Sequence, residues 1–121
     1  ATARDVAERF LSSIAESHTD PANPPGCLLV QGGLACGAGS ENIPFELASR
    51  RAQTETELRE RFVQAKQEGD LAQDADPAAL ARFLSTIASG MGVLASSGAD
   101  RDALREVAGV SLKAFGQSQG V

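Results

Sequence analysis

Two cysteines, Cys27 and Cys36, are the residues of this chain best suited to covalent chemistry. If both lie on one short helix, their separation of nine residues places them about 13 Å apart on opposed sides, which excludes a disulfide without unfolding. The simpler interpretation is that both are buried and act as small apolar side chains. The alternative is a redox or electrophile sensor, because Cys27 follows Gly26 at a predicted helix start, where the helix N-terminus favours the thiolate.

Other catalytic chemistry has little support in the sequence. His18 is the only histidine and lies beside a proline-rich loop without a Cys, Asp or Glu at ligand spacing, so we predict a surface side chain and not a metal ligand or general base. No phosphate-binding loop, Gly-x-Ser-x-Gly motif or paired-cysteine zinc pattern occurs. The acidic residues fall at capping and (i, i+4) positions. We therefore predict a protein that is not an enzyme and uses neither a cofactor nor a metal.

The composition favours one small acidic domain. The 121 residues have a formal net charge of −5, and a chain of this length buries about two thirds of its unfolded surface without disulfides or metal. An acidic segment is a poor partner for phosphate backbone, so this segment is not expected to contact DNA itself. Two cysteines and no basic-then-apolar leader favour the cytoplasm. Because the chain opens with Ala1 and not Met, we expect one domain, 1–121, with an N-terminal neighbour missing.

Hydrophobic periodicity predicts an all-α fold, an antiparallel bundle of about five helices. Helices are expected over residues 3–17, 42–68 and 78–97 and from Asp100 to about residue 115, with a short glycine-rich helix within 26–37. The local signals are a proline near a helix start, a glycine just past a helix end, and Asp at the N-caps. His18 is expected in the loop that follows the first helix.

The last two helices have more apolar surface than one copy of the domain can bury. Residues 78–97 carry a single charge, Arg82, and the final helix is apolar over about 200° of its circumference. Too many Ser, Thr and Gly interrupt residues 78–97 for a membrane span. We therefore predict a homodimer in which both helices pair with their symmetry mates. The candidate interface residues are Thr86, Gly90, Val93, Ser97, Val107, Val110 and Ala114.

Arg51 and Glu55 are charged residues near the predicted inner face of the long helix, within about 60° of Leu58. One interpretation is an (i, i+4) ion pair at the rim of the domain. The other is a polar anchor inside a ligand cavity.

Five segments follow one another along the chain in a characteristic order: PGCLLV at 25–30, KQEGDL at 66–71, DPAALARFL at 76–84, GMGVLA at 90–95 and GADRDAL at 98–104. Together, over about residues 5–116, they resemble the C-terminal regulatory domain of TetR-type transcriptional repressors. The resemblance implies an all-helical domain that binds a small, often apolar effector and dimerises through its last two helices. It also implies that DNA is bound only by a helix-turn-helix domain that precedes residue 1.

From this resemblance we expect an effector pocket formed by residues 27–34, the inner face of the long helix and parts of 83–91. The candidate lining residues are Leu28, Val30, Leu34, Leu58, Phe62, Phe83, Ile87 and Met91, with Arg51 and Glu55 as polar candidates. Each apolar one can equally be plain core. Two alternatives share the fold: a helical dimerisation or adaptor module without a ligand, and a thiol sensor through Cys27.

Overall fold

The computed structural model describes residues 2–22 and 42–115, with the backbone alone for 42–48. This part of the chain folds into four α-helices: α1 (Ala3–Thr19), α2 (Asn42–Gln67), α3 (Pro77–Ser96) and α4 (Arg101–Leu112). A 3₁₀ turn at Lys113–Phe115 extends α4. The all-α prediction is confirmed, and the short helix predicted within 26–37 lies outside the described residues.

Side-chain caps begin three of the helices. The Thr2 hydroxyl accepts the Asp5 N–H while the Asp5 carboxylate accepts the Thr2 N–H, and this second bond lowers the pKa of Asp5 below its ordinary 3.8. Asp76 accepts the N–H groups of Ala78 and Ala79 ahead of α3. Asp100 caps α4 in the same way. The caps predicted for α3 and α4 are therefore present.

Two glycines follow the ends of α2 and α3, at the positions where the sequence predicts that these helices end, and both adopt the left-handed backbone conformation. Gly69 has φ +81° and Gly98 has φ +102°, a region in which a Cβ would be strained. Beyond Gly69 the Asp70 N–H returns to the Ala65 carbonyl at 2.8 Å. Each turn therefore satisfies carbonyls at the helix end while the chain reverses direction.

Helix α3 packs against α1, α2 and α4, and α1 likewise contacts the three other helices. Three alanines, Ala3, Ala7 and Ala15, lie beside Leu11 on the buried face of α1, whereas Phe10 is only half-buried. Short side chains let the axis of α1 approach its neighbours. The largest fully buried side chains of the described core are Phe62, Leu11, Leu84, Met91 and Leu104.

In the described part of the chain, α3 is the one helix long and apolar enough to cross a membrane by length and composition. Its buried residues Ala81, Leu84, Met91 and Ala95 belong to the common core of the bundle. A core helix of a water-soluble bundle has the same composition.

Candidate functional site

The predicted effector pocket is described only in part. Leu58, Phe62 and Met91 are buried in the common core, and Phe83 and Ile87 are half-buried against it. The structure thus brings these five predicted residues into one apolar cluster on α2 and α3. The other predicted wall, with Leu28, Val30 and Leu34, and the candidate thiols Cys27 and Cys36, lie outside the described residues.

The charged pair expected near this cluster is arranged differently from the (i, i+4) prediction. Glu55 Oε2 lies 3.7 Å from Nε of Arg82 on α3, so the recorded ion pair joins two helices. Arg51 is half-buried on α2. The (i, i+4) spacing within α2 does not reveal this partner of Glu55, because the partner depends on how α2 and α3 pack against each other.

A pocket of about 650 Å³ lies at the end of the bundle where α2 ends and α3 begins. Phe83 is the one predicted lining residue that contributes to it. Phe115 contributes from the 3₁₀ turn and stacks at a tilt on Phe62, with ring centroids 5.2 Å apart. Carboxylates of the α2–α3 loop form the rim, and one of them, Asp70, accepts the Ala3 N–H. The lining residues are Asp70, Leu71, Ala72, Asp74, Ala75, Asp76, Ala79, Leu80, Phe83, Ala114 and Phe115.

A second pocket, about 520 Å³ in volume, lies at the opposite end of α3. We call it the histidine pocket; it is lined by His18, Thr19, Asp20, Pro21, Ala95, Gly98, Ala99, Asp100 and Arg101. Arg101 closes one side, where its Nε donates to Thr19 Oγ1 at 3.1 Å. Sequence analysis missed this pocket because its wall combines the end of α1 with the α3–α4 turn.

The prediction of a surface position for His18 is wrong, since only 7% of the residue is exposed. Helix α1 continues to Thr19, and His18 follows Leu11 and Ala15 on its buried face. The spacing of seven and three residues from those positions is a helical signal that could have located it. Burial lowers the pKa of the imidazole below its ordinary 6.5, because the charged form loses hydration.

Most of the predicted dimer residues are exposed in the single chain. Thr86, Gly90, Val93 and Ser97 lie on the face of α3 opposite its core residues, and all four are exposed. Val110 of α4 is 67% exposed and Val93 is 44% exposed. Ala114 is also exposed, whereas Val107 is half-buried. Leu94, which was not predicted, adds to this surface at 42% exposed.

The described residues contain no group of three or more His, Cys, Asp or Glu side chains that could hold a metal ion.

Comparison with known proteins identifies the family. Residues 4–110 match the family described as the tetracyclin repressor-like C-terminal domain. The HTH-type transcriptional repressor ComR of Escherichia coli strain K12 is 30% identical over 104 residues, which is 86% of this chain and 50% of ComR. The chain thus spans about half the length of this relative.

Two solved structures of the TetR family transcriptional regulator CifR have the same fold. Both are cysteine-substituted forms in complex with 26-base-pair operator DNA, and each gives a TM-score of 0.85. One is 30% identical and covers 94% of this chain and 59% of CifR; the other is 31% identical and covers 94% and 60%.

The matched proteins are transcriptional regulators, which are not enzymes, and both family and fold agree with the helical bundle described above. The chain belongs to the TetR family of transcriptional regulators and has the fold of its C-terminal domain.

Proposed function

We propose that this chain is the effector-binding and dimerisation domain of a TetR-like transcriptional repressor that acts in the cytoplasm. A separate N-terminal helix-turn-helix domain contacts the operator, and this domain itself contacts no DNA. The operator complexes of CifR and the repressor name of ComR support this function. So does the net charge of −5, which is unfavourable for binding phosphate backbone.

The exposed apolar face of α3 and α4 is the observation that carries the dimer. Val93, Leu94 and Val110 are large apolar side chains between 42% and 67% exposed on two consecutive helices. Contiguous exposed apolar surface on a small soluble domain marks an interaction surface. An isologous contact buries this face against its own copy and closes the assembly at two subunits.

Gly90 supports the same arrangement. A Cβ at this position would meet no atom within 4 Å in the single chain, so nothing within the described bundle requires glycine there. Glycine in a helix costs about 1 kcal/mol relative to alanine. Close approach of a partner helix to the backbone at Gly90 explains why glycine occupies this position, which no contact within the single chain explains.

The dimer is tested by sedimentation of the purified chain at micromolar concentration. We expect the unmodified chain to sediment as a dimer and Val110→Lys to sediment as a monomer, because a buried lysine without a partner opposes association. Val63→Lys is the matched control, since Val63 is 41% exposed on α2, outside the interface. A monomeric unmodified chain, or a Val110→Lys dimer as stable as the control, would contradict the proposal.

The effector is proposed to bind against the apolar cluster of Phe83, Ile87 and Met91 on α3, together with residues 28–34. An effector releases the operator only if it binds the released form of the dimer more tightly than the DNA-bound form. A thermal-shift screen of small apolar compounds is expected to give hits that raise the unfolding temperature. Ile87→Ala should reduce the shift and Val63→Ala should leave it unchanged; equal shifts in both variants would place the ligand elsewhere.

The two alternatives predict other outcomes. An adaptor module dimerises in the same way but gives no hit in the screen, and its gene encodes no basic three-helix head upstream of residue 1. A thiol sensor requires Cys27 to be alkylated faster than a free thiol, a rate that Cys36→Ser should retain and Cys27→Ser should abolish. A rate no faster than that of the reference thiol would exclude the sensor.

A further inference from the structure

Two opposite charges flank the most exposed apolar side chain of α4. Val110 is 67% exposed, the largest fraction among the large apolar residues of the described chain. Glu106 precedes it by one helical turn and Lys113 follows it by one turn, and both are exposed. At about 100° per residue, they project roughly 40° and 60° from Val110, on the same side of it. The two charges therefore form one edge of the exposed apolar surface of α4.

Neither charge is explained by a contact within its own subunit. Among the described residues, the side chains of Glu106 and Lys113 make no hydrogen bond and no ion pair. The residues three and four positions from Glu106 include an acid, Asp102, and no basic residue, while those before Lys113 are Gly109 and Val110. An (i, i+4) ion pair is therefore excluded for both. The helix dipole favours a lysine at the end of α4 but gives no role to a glutamate in the middle of that helix.

An antiparallel contact between two copies of α4 pairs these charges. If a two-fold axis crosses the helices between Gly109 and Val110, Glu106 of one subunit lies level with Lys113 of the partner subunit, because both are equally far from the axis along the chain. The relation is reciprocal, so two such pairs form. A parallel contact leaves the two charges at different levels, since seven residues of helix rise about 10 Å. Charge complementarity therefore favours the antiparallel contact.

The side of the helix agrees as well as the level. A two-fold axis perpendicular to two antiparallel helices relates side chains that lie on the same side of the contact. Because Glu106 and Lys113 both project to one side of Val110, each faces the opposite charge across the helix pair. Val110 packs beside its own copy in the middle of the contact. Gly109 projects about 100° away from Val110 and stays outside the contact.

Helix α3 gives an independent check on the level of the axis. Only residues 97–100 separate α3 from α4, so the two helices form a hairpin. At equal distances from this turn, Gly109 of α4 lies at about the level of Ala88 of α3. Thr86 and Gly90, both exposed, lie two residues on either side of Ala88. The axis that pairs the charges of α4 thus also places Thr86 of one subunit against Gly90 of the partner subunit, where the missing side chain permits close approach.

We propose that the two copies of α4 pack antiparallel about Val110 and are joined by reciprocal ion pairs between Glu106 and Lys113. This inference rests on the dimer of the proposed function, and the partner is a second copy of this chain. Ion pairs at the rim of an interface contribute mainly to specificity and to the register of the contact. They select a subunit with the same arrangement of charges and repel one that presents like charge at both positions.

Charge reversal tests the pairing through dissociation constants measured by sedimentation at low ionic strength, where exposed charges are least screened. Glu106→Lys and Lys113→Glu should each weaken the dimer at least about tenfold, because like charges then face each other in both pairs. The double variant, with both reversals, restores opposite charges and should dimerise within about threefold of the unmodified chain. Arg105→Glu is the matched control. It reverses an exposed charge of α4 that projects about 140° away from Val110, and it should leave the dimer unchanged.

Two further controls separate the pairing from general effects. The formal net charge of the chain is −5, so general repulsion between acidic subunits predicts that Glu106→Lys strengthens the dimer, whereas the ion pair predicts that it weakens the dimer. Circular dichroism confirms that each variant is folded. Glu106→Lys is expected to fold well, since the new lysine gains Asp102 as an (i, i+4) partner.

The proposal is overturned if either single reversal dimerises as tightly as Arg105→Glu, or if the double variant dimerises no more tightly than the single variants. Both results leave the dimer itself in place, because Val110→Lys tests it separately. A monomeric unmodified chain rejects the dimer, and the antiparallel contact with it.

Discussion

The imidazole of His18 is buried where α1 meets the α3–α4 turn, and burial lowers its pKa from the ordinary 6.5. Ser111 is another buried polar side chain of the described core, but its hydroxyl donates to the Val107 carbonyl at 2.8 Å. A serine on a helix can satisfy itself on the preceding turn. The imidazole Nε2 of His18 has no such partner in the described structure.

His18 is expected to make folding pH-dependent. Its folded pKa is below the unfolded value near 6.5, so as pH falls below that value the unfolded chain binds a proton before the folded chain does, and stability declines. Above that value the residue has no effect on the pH slope. Urea unfolding at pH 7.5 and at pH values just below the unfolded pKa, in the unmodified chain and in His18→Gln, measures this. The variant should show a smaller loss on acidification, and equal losses would contradict the prediction.

At the scale of the element, interactions between residues close in sequence define where each helix begins and ends. Asp76 caps α3 through two backbone N–H groups, and Pro77 occupies the first helical position, where a missing N–H removes no helical bond. Lys66 reaches across from α2 and its Nζ donates to the Ala75 carbonyl at 3.0 Å. The α2–α3 connection is thus held from both sides.

Loss of the Asp76 cap should destabilise the domain. We expect Asp76→Ala to lower the free energy of unfolding by about 1 kcal/mol, because two N–H groups of the first turn lose their acceptor. Asp74→Ala is the control, since Asp74 is an exposed acid of the same loop and does not cap α3. Urea unfolding of both variants at one pH compares them, and an equal loss in both would show that charge and not capping is responsible.

At the scale of the whole molecule, α3 and α4 each have two apolar faces with different environments. One face of α3, with Leu84 and Met91, is fully buried in the core, while the opposite face, with Gly90 and Val93, is exposed. Helix α4 repeats the pattern with buried Leu104 and exposed Val110. The amphipathic pattern of a helix usually has one polar side, so the second apolar side is the surface proposed to bind the partner copy.

Gly90→Ala tests close packing at that surface. Alanine should stabilise the isolated subunit by about 0.5–1 kcal/mol through helix propensity, while the added methyl group separates the paired helices and weakens the dimer. Gly109→Ala is the matched control, because Gly109 is also exposed with nothing within 4 Å of a Cβ but lies outside the predicted interface. Dissociation constants from sedimentation should rise for Gly90→Ala alone; an unchanged constant would exclude close approach at this position.

Helix boundaries were predictable because their signals lie within a few residues of the chain. The first helix was predicted over 3–17 and is Ala3–Thr19, and the long helix was predicted over 42–68 and is Asn42–Gln67. The N-caps of α3 and α4 are Asp76 and Asp100, and the glycines that follow α2 and α3 are Gly69 and Gly98, as their residue types suggest. Capping and backbone conformation are local interactions, so the sequence contains them directly.

The amino-acid sequence by itself determined that the described part of the chain is an all-helical bundle, where its helices begin and end, and that the last two of them have two apolar faces. The tertiary structure alone decided that Glu55 pairs with Arg82 and that the end of α1 and the α3–α4 turn line one open pocket. The physical reason is distance along the chain. These contacts join residues far apart in sequence, and they depend on the angles and spacings at which helices pack, which no local pattern specifies.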